Sequence, residues 1–265
     1  MKIINIISNH NAYSIETAAV LEKKLLSQGY EVNIGFSENA DLNVVVGGDG
    51  SFLQAVHNSQ FSSIPFIGIN TGNLGFFQDI TPDQIDDFLE YLSASKLKFE
   101  SIYLIEADVC TNDQCINFLA INEIAIKNVS SRTVHLNVSI NDTFLEKFSG
   151  DGIIISTPMG STAYNYSAGG SIVYPTIGVM QVTPVSPINS SIYRCIPSSL
   201  IVPHKETIII RPEYRDENSI LISVDGKQFT YDNIDEIYFR ISKTKINVLK
   251  YGNQNFWGKV KEKFL

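Results

Sequence analysis

The sequence predicts an α/β protein, with an N-terminal Rossmann-like α/β domain followed by a second, β-rich, sandwich-like domain. Up to residue 98, apolar runs such as VVV at 44–46 alternate with segments of helical periodicity, which is the pattern of parallel strands covered on both faces. Beyond that point, strand-like runs follow one another with tight-turn signals between them. The 265 residues, 44% hydrophobic and 18% charged without low-complexity runs, are enough for two folded cores.

Residues 2–7 are apolar and β-branched. Polar Asn9 and His10 follow at once, so the start reads as a first strand and not as a secretory signal. Ser14 is a candidate cap for a helix carrying Ile15, Ala18, Leu21 and Leu25 on one face, and Gly29 stands where its C-terminus belongs. Strands are expected at 31–36, 42–46 and 65–70, with a short helix at 51–58 and another from Pro82, suited to a first turn, to residue 95. The second part reads as strands at 102–110, 116–127, 134–140, 143–148, 207–211, 219–224 and 237–241, with turns at Asn141-Asp142 and Asp225-Gly226. A strand at 245–249 closes that pattern. The tail, 252–265, spaces Phe256, Trp257, Val260 and Phe264 helically and is expected to pack back on the first domain. The expected domains are therefore 1–98 with that tail, and 99–251. The stretch 173–197 is proline-rich and charge-poor and lacks the period of a core element. It reads as subunit-interface surface, or else as cover for the second domain's sheet.

A net charge of −8 argues against nucleic-acid and anionic-membrane partners. It does not argue against a nucleotide, whose phosphates backbone N–H groups and a divalent metal can hold. No run reaches the roughly 18 apolar residues of a membrane span. Cys110, Cys115 and Cys195 form no CxxC pair and read as reduced thiols in a cytoplasm.

Four clusters carry candidate chemistry. VVVGGDGSF at 44–52 ends an apolar strand in glycines, which let backbone N–H groups approach a phosphate at the head of the next helix. The plainer reading is a tight turn with a capping aspartate. GxGxxG fails at Leu53 and GxxxxGK[ST] is absent. Asp49 inside the turn is the unusual element, because an acid there repels a phosphate unless it meets a metal or takes a proton. GINTGNLGF at 68–76 ends another strand and offers Phe76 as an apolar wall for a planar base, or is an ordinary loop. Asn122-Glu123 interrupt the apolar run FLAINEIAIK. Adjacent strand residues face opposite ways, so one of the two is buried or pocket-facing, unless this is an edge strand with a solvated Glu. GDGIIISTPMGSTAYNYSAGG at 150–170 runs a strand into a dense set of hydroxyls, which is poor core material and suits a ribose.

These clusters, in this order and over essentially the full length, resemble those of bacterial NAD kinases. GGDG alone is shared with diacylglycerol, sphingosine and 6-phosphofructo-kinases, whereas GDG…STPxGSTAYN joined to NE is highly specific. The resemblance implies phosphoryl transfer from ATP or another donor to the adenosine 2′-hydroxyl of NAD, giving NADP, with Mg²⁺. It implies that Asp49 is the general base or hydroxyl orienter, with Gly50 at the same site, and that Gly47, Gly48, Gly50 and Ser51 hold the donor's phosphates. Phe76 matches an aromatic near the adenosine, and Asn122 and Glu123 match a pair contacting the dinucleotide. Asp151, Thr162, Ala163, Tyr164, Asn165 and Ser167 match the second-domain lining of the NAD pocket. Ser186 and Tyr193 match a segment reaching a neighbouring subunit's nicotinamide side, so a homo-oligomer, tetramer or dimer, is implied. The active site is expected between the domains, and no residue is assigned as a metal ligand.

Two departures stand out. Ser149 occupies a position where many relatives carry an arginine, and Lys147, on the same strand face, is the candidate substitute. No P-loop lysine is present. The alternatives are a lipid kinase of the GGDG group and a catalytically silent NAD-binding sensor.

Overall fold

The computed structural model describes residues 2–94, 97–130, 132–191, 194–215, 218–252 and 255–265. The chain forms two compact units, residues 1–102 with 245–265, and residues 103–244.

The first unit begins with β1 (Ile3–Ser8), α1 (Ala12–Ser27), β2 (Glu31–Ile34), β3 (Leu42–Gly47), α2 (Asp49–Asn58), β4 (Phe66–Asn70), β5 (Gln78–Ile80) and α3 (Ile85–Ser93). The strand order is β2-β1-β3-β4 with every neighbouring pair parallel, and β5 lies beside β4. Central strand β3 is buried at every position, as its near-continuous apolar run requires. Its Val44 and Val46 pack with Ile4, Leu21, Leu25 and Phe88 in the unit's core. One expectation is corrected: Asn11, not Ser14, caps α1, accepting from the Tyr13 N–H. Ser14 lies inside the helix, buried, with its hydroxyl 2.7 Å from that of Thr71, while Ile15 faces out at 51% exposure. Gly29 follows the helix at φ +85°, the left-handed conformation a C-terminal glycine supplies.

The second unit is β-rich and antiparallel. The chain continues through β6 (Lys98–Thr111), β7 (Cys115–Ala120), β8 (Glu123–Asn128), β9 (Val134–Ile140), β10 (Thr143–Gly150), β11 (Gly152–Ser156) and the single turn of α4 (Tyr164–Ser167). It then runs through β12 (Val179–Val185), β13 (Leu200–Pro203), β14 (Ile208–Pro212), β15 (Ser219–Val224), β16 (Lys227–Asp232) and β17 (Ile234–Lys250). One sheet has the order β13-β12-β11-β8-β15-β16, and β10-β9-β14-β17 form a second array. Leu136, Val138, Ile208 and Phe239 of that array share a core with Ile124, Ile126, Ile153, Ile155 and Ile222 of the first. That is a sandwich.

Three expectations change here. The run 116–127 is two strands, because the ladder breaks at Ile121-Asn122 and β7 and β8 pair with different neighbours. Stretch 173–197 contains a core element after all. β12 is buried from Met180 to Pro184 between β11 and β13, so its apolar character is satisfied within the chain. The reduced-thiol reading fails for two cysteines. The β6–β7 register sets Cys110 opposite Cys115, 4.0 Å apart at Cα, where they form a disulfide, while Cys195 is free and buried.

Residues 245–250, the end of β17, belong to the first unit, where Val248 pairs with Phe66 of β4. The last element is α5 (Phe256–Phe264), capped by Asn255, whose side chain accepts from the Gly258 N–H.

Candidate functional site

In the first unit the site forms at the carboxyl ends of β3 and β4. Gly48 is the N-cap of α2 and has no side chain to cap it, and Asp49 is the first helical residue. Its carboxylate does not cap its own helix. It crosses to the loop after β4, where Oδ1 accepts from the N–H groups of Phe76 at 2.9 Å and Phe77 at 3.1 Å. Oδ2 shares the Phe76 N–H at 3.1 Å and otherwise meets Lys263 Nζ at 3.4 Å. Oδ1 is thus the anchored oxygen, and Oδ2 keeps more of its accepting capacity. Gly75 makes this approach possible, because a Cβ there would stand 2.3 Å from Asp49 Oδ1 and 2.0 Å from Gln78 Oε1. By contrast, a Cβ on Gly48 or Gly50 would meet nothing within 4 Å, so there is open space beside the backbone at the head of α2, the positive end of that helix.

Residues missed by the sequence reading complete this half. Lys259 of α5 is buried and donates to the carbonyls of Phe76 at 3.1 Å and Gln78 at 2.8 Å and to Asp79 at 2.7 Å. Lys263 donates to the Leu74 carbonyl at 3.0 Å and lies 5.1 Å from the centre of the Phe76 ring. Phe256 and Phe264 stand 5.9 and 6.0 Å from the same ring. Phe76 is therefore half-buried, with an aromatic and cationic backing. Ser51 accepts from the Asn9 side chain at 3.1 Å.

In the second unit the Asn122-Glu123 pair sits at the break between β7 and β8. The agent of that break is Asp225, which the sequence showed only as a turn residue. Its carboxylate accepts from three successive backbone amides, Ile121 and Asn122 at 2.8 Å each and Glu123 at 3.2 Å. Asp225 can do so because it holds φ +45° ahead of Gly226 at +85°, a turn that aspartate and glycine tolerate. Glu123 is buried, and burial together with the neighbouring Asp225 charge pushes its carboxyl up to about 8. Glu123 Oε2 and Asn122 Oδ1 are buried without a hydrogen-bond partner. Such groups cost about 1–3 kcal/mol each when left unmet.

The hydroxyl-rich segment packs onto this pair. Asn122 O accepts from Thr157 N at 2.8 Å, and Gly160 N donates to Thr157 Oγ1 at 3.0 Å. Gly160 is sterically required, since a Cβ would fall 2.0 Å from the Asn122 carbonyl oxygen. Asn165 is fully buried, held by Ser161 O at 3.2 Å and Thr183 Oγ1 at 2.6 Å, and so supports the turn from beneath. Thr162 is buried, Ala163 and Tyr164 are half-buried and Ser167 is exposed, with Lys127 Nζ 4.4 Å from the centre of the Tyr164 ring.

Asp151 is exposed and lines a pocket of about 450 Å³ with Arg132, His135, Glu213 and Arg215. Ser186 is exposed at φ +47°. Tyr193 lies outside the described residues. Ser149 is buried, its hydroxyl 2.8 Å from His135 Nδ1, and Lys147 is ion-paired with Glu213. Lys147 is therefore partly neutralised.

Comparison with known proteins covers both halves. The family model for the ATP-NAD kinase N-terminal domain matches residues 4–97, and that for the ATP-NAD kinase C-terminal domain matches 121–251. The chain is 44% identical over 268 residues to the NAD kinase of Finegoldia magna, covering 100% of this chain and 98% of that one. It is 36% identical to the NAD kinase of Streptococcus gordonii, covering 100% and 96%. Its fold matches yeast NADH kinase complexed with NADH, with a TM-score of 0.85 at 22% identity over 99% of this chain and 87% of that one. It also matches an NAD kinase from Archaeoglobus fulgidus in complex with ATP, with a TM-score of 0.78 at 22% identity over 98% of each chain.

Proposed function

The chain belongs to the NAD kinase family, phosphotransferases that convert NAD to NADP, and we propose that Asp49 addresses the adenosine 2′-hydroxyl while Mg²⁺ enters as the ATP complex. The observation that carries this reading is the Asp49 carboxylate, anchored through Oδ1 on two loop amides and leaving Oδ2 as the freer acceptor. Oδ2 orients the hydroxyl and takes its proton as the oxygen attacks the terminal phosphorus of the donor and the bond to ADP breaks. Phosphoryl transfer is chiefly positioning and charge stabilisation, and positioned proton acceptance adds about 10²–10⁴-fold.

The donor's phosphates meet the N–H groups of the Gly48–Gly50 turn and the positive end of α2, where open space is available. Among the described residues, no three His, Cys, Asp or Glu side chains cluster as a resident metal site would. The divalent ion fits this chain as part of the donor, where it neutralises phosphate charge. Phe76 supplies the apolar face for the adenosine. Asn122 Oδ1 and Glu123 Oε2, buried and unpartnered, are the atoms a dinucleotide's hydroxyls would satisfy. With its carboxyl raised to about 8, Glu123 is protonated at neutral pH and can donate as well as accept. Thr162, Ala163, Tyr164 and Ser167 line the dinucleotide site over the Asn165 support.

We place the enzyme in the cytoplasm, where NAD and ATP are held. We also keep the homo-oligomer as part of this reading. Exposed Ser186 follows β12 directly, and it and Tyr193 are the residues this reading assigns to a neighbour's nicotinamide, while exposed Asp151 joins the lining of the NAD pocket. The test is a substrate panel with pure protein, using NAD, NADH, diacylglycerol or sphingosine as acceptor and ATP or polyphosphate with Mg²⁺ as donor. NADP from NAD is the expected product. A phosphorylated lipid in its place, or NAD binding without any turnover, would overturn the reading.

A further inference from the structure

α5 carries two lysines one turn apart that meet the Asp49 loop differently. An ammonium has three N–H donors. Those of Lys259 are all taken, by Phe76 O, Gln78 O and Asp79, and its side chain is buried, so it is a staple for the loop. Lys263 gives only two, to Leu74 O at 3.0 Å and Asp49 Oδ2 at 3.4 Å, and its side chain is 33% exposed. It meets the carboxylate oxygen that the amides hold less tightly, Oδ2, which only shares the Phe76 N–H at 3.1 Å. Its ammonium also stands over the Phe76 ring, 5.1 Å from the ring centre, a second attraction that fixes the approach.

The electrostatics give that contact a task. A carboxylate beside the phosphate-binding turn repels a polyanionic donor, and the glycine loop itself offers no lysine. We propose that Lys263 is a positioning residue for phosphoryl transfer. Its ammonium holds Asp49 Oδ2 and offsets the carboxylate's charge, so that the oxygen keeps its place and remains an acceptor when the triphosphate arrives. This role rests on the NAD kinase reading and adds to it a residue contributed by the C-terminal helix. It acts through Asp49, so it must disappear when Asp49 is changed.

The experiment is a double-mutant cycle on the full-length protein with NAD and Mg²⁺·ATP, comparing wild type, Lys263→Met, Lys263→Arg, Asp49→Asn and Lys263→Met with Asp49→Asn. Methionine is an unbranched apolar side chain of similar length that removes the charge. Lys263→Met is expected to lower kcat about tenfold with KM for NAD within twofold, and Lys263→Arg to restore most of the loss. In the Asp49→Asn background the same change should cost less than twofold. Lys261→Met, on an exposed position of the same helix, is the control and should leave kcat unchanged. If Lys263→Met does not fold, Lys263→Gln is read by the same criteria. A kcat within twofold of wild type overturns the proposal. So do equal losses in both backgrounds, or a loss that tracks a lowered melting temperature and is not rescued by arginine. Absence of NADP from the wild type overturns the functional reading itself, and this role with it.

Discussion

Replacing Glu123 by glutamine should change how stability depends on pH, and the structure sets both the sign and the scale. The Glu123 carboxyl is buried, has one oxygen without a hydrogen-bond partner and stands beside Asp225, and these place it at about 8 against an ordinary 4.5. Between those two values the folded protein holds a proton at Glu123 that the unfolded chain has released. Stability from this site is therefore fully present below about 4.5 and is lost as pH rises to about 8. Each pH unit of that displacement, from 4.5 to about 8, is worth about 1.4 kcal/mol, so the ceiling is on the order of 5 kcal/mol. For a chain of this size that corresponds to a melting temperature lower by roughly 10 °C. The glutamine amide mimics the neutral acid and carries no such slope. Melting of wild type and Glu123→Gln from pH 5 to 8.5 should give nearly equal values at the acid end, with the variant clearly more stable at the alkaline end. Parallel curves over the whole range would refute the buried neutral carboxyl and the Asp225 coupling together.

Asp49→Asn should lower kcat by about 10²–10⁴-fold. It should also cost about 1–2 kcal/mol of stability, because the same carboxylate ties down the Phe76 and Phe77 amides. Kinetics and melting measured on one preparation separate the two effects, and an unchanged kcat would reduce Asp49 to a loop anchor. Gly160→Ala should destabilise by about 1–3 kcal/mol and weaken NAD binding, since the added methyl would fall 2.0 Å from the Asn122 carbonyl. A variant that melts and binds NAD like wild type would show that this turn tolerates displacement. Sedimentation across a dilution series, with activity followed in parallel, should show an oligomer whose specific activity falls on dissociation. A fully active monomer would remove the neighbour from the site.

The parallel half of the fold was legible because its signal is local. Three valines ending in glycine leave few other readings, and Gly29 and the Asp225-Gly226 turn need positive φ, which their residue types supply. What escaped depended on partners distant in sequence. β12 contains Pro184 and lies in a proline-rich stretch, so nothing local marked it as a central strand. Its burial comes from pairing with β11 and β13. The ladder break at Asn122 is invisible without Asp225, a hundred residues later, which takes the amides a continuous strand would have used. The Cys110–Cys115 pairing follows from a hairpin register that composition does not fix. The site was read from its glycines, hydroxyls and Asp49, all in compact motifs. Its backing by Lys259 and Lys263 was not, because two lysines in an amphipathic tail look like solvated charges until the helix docks on the Phe76 loop.

The most direct measurement is formation of NADP itself. Purified protein is incubated with NAD, ATP and Mg²⁺, and the product is read with a dehydrogenase that accepts only the 2′-phosphorylated dinucleotide. The account expects NADP to accumulate in proportion to enzyme, at turnover in the range of kinases, about 1–100 s⁻¹, and to collapse in Asp49→Asn. ADP release without NADP, or NADP formation that survives Asp49→Asn unchanged, would contradict it.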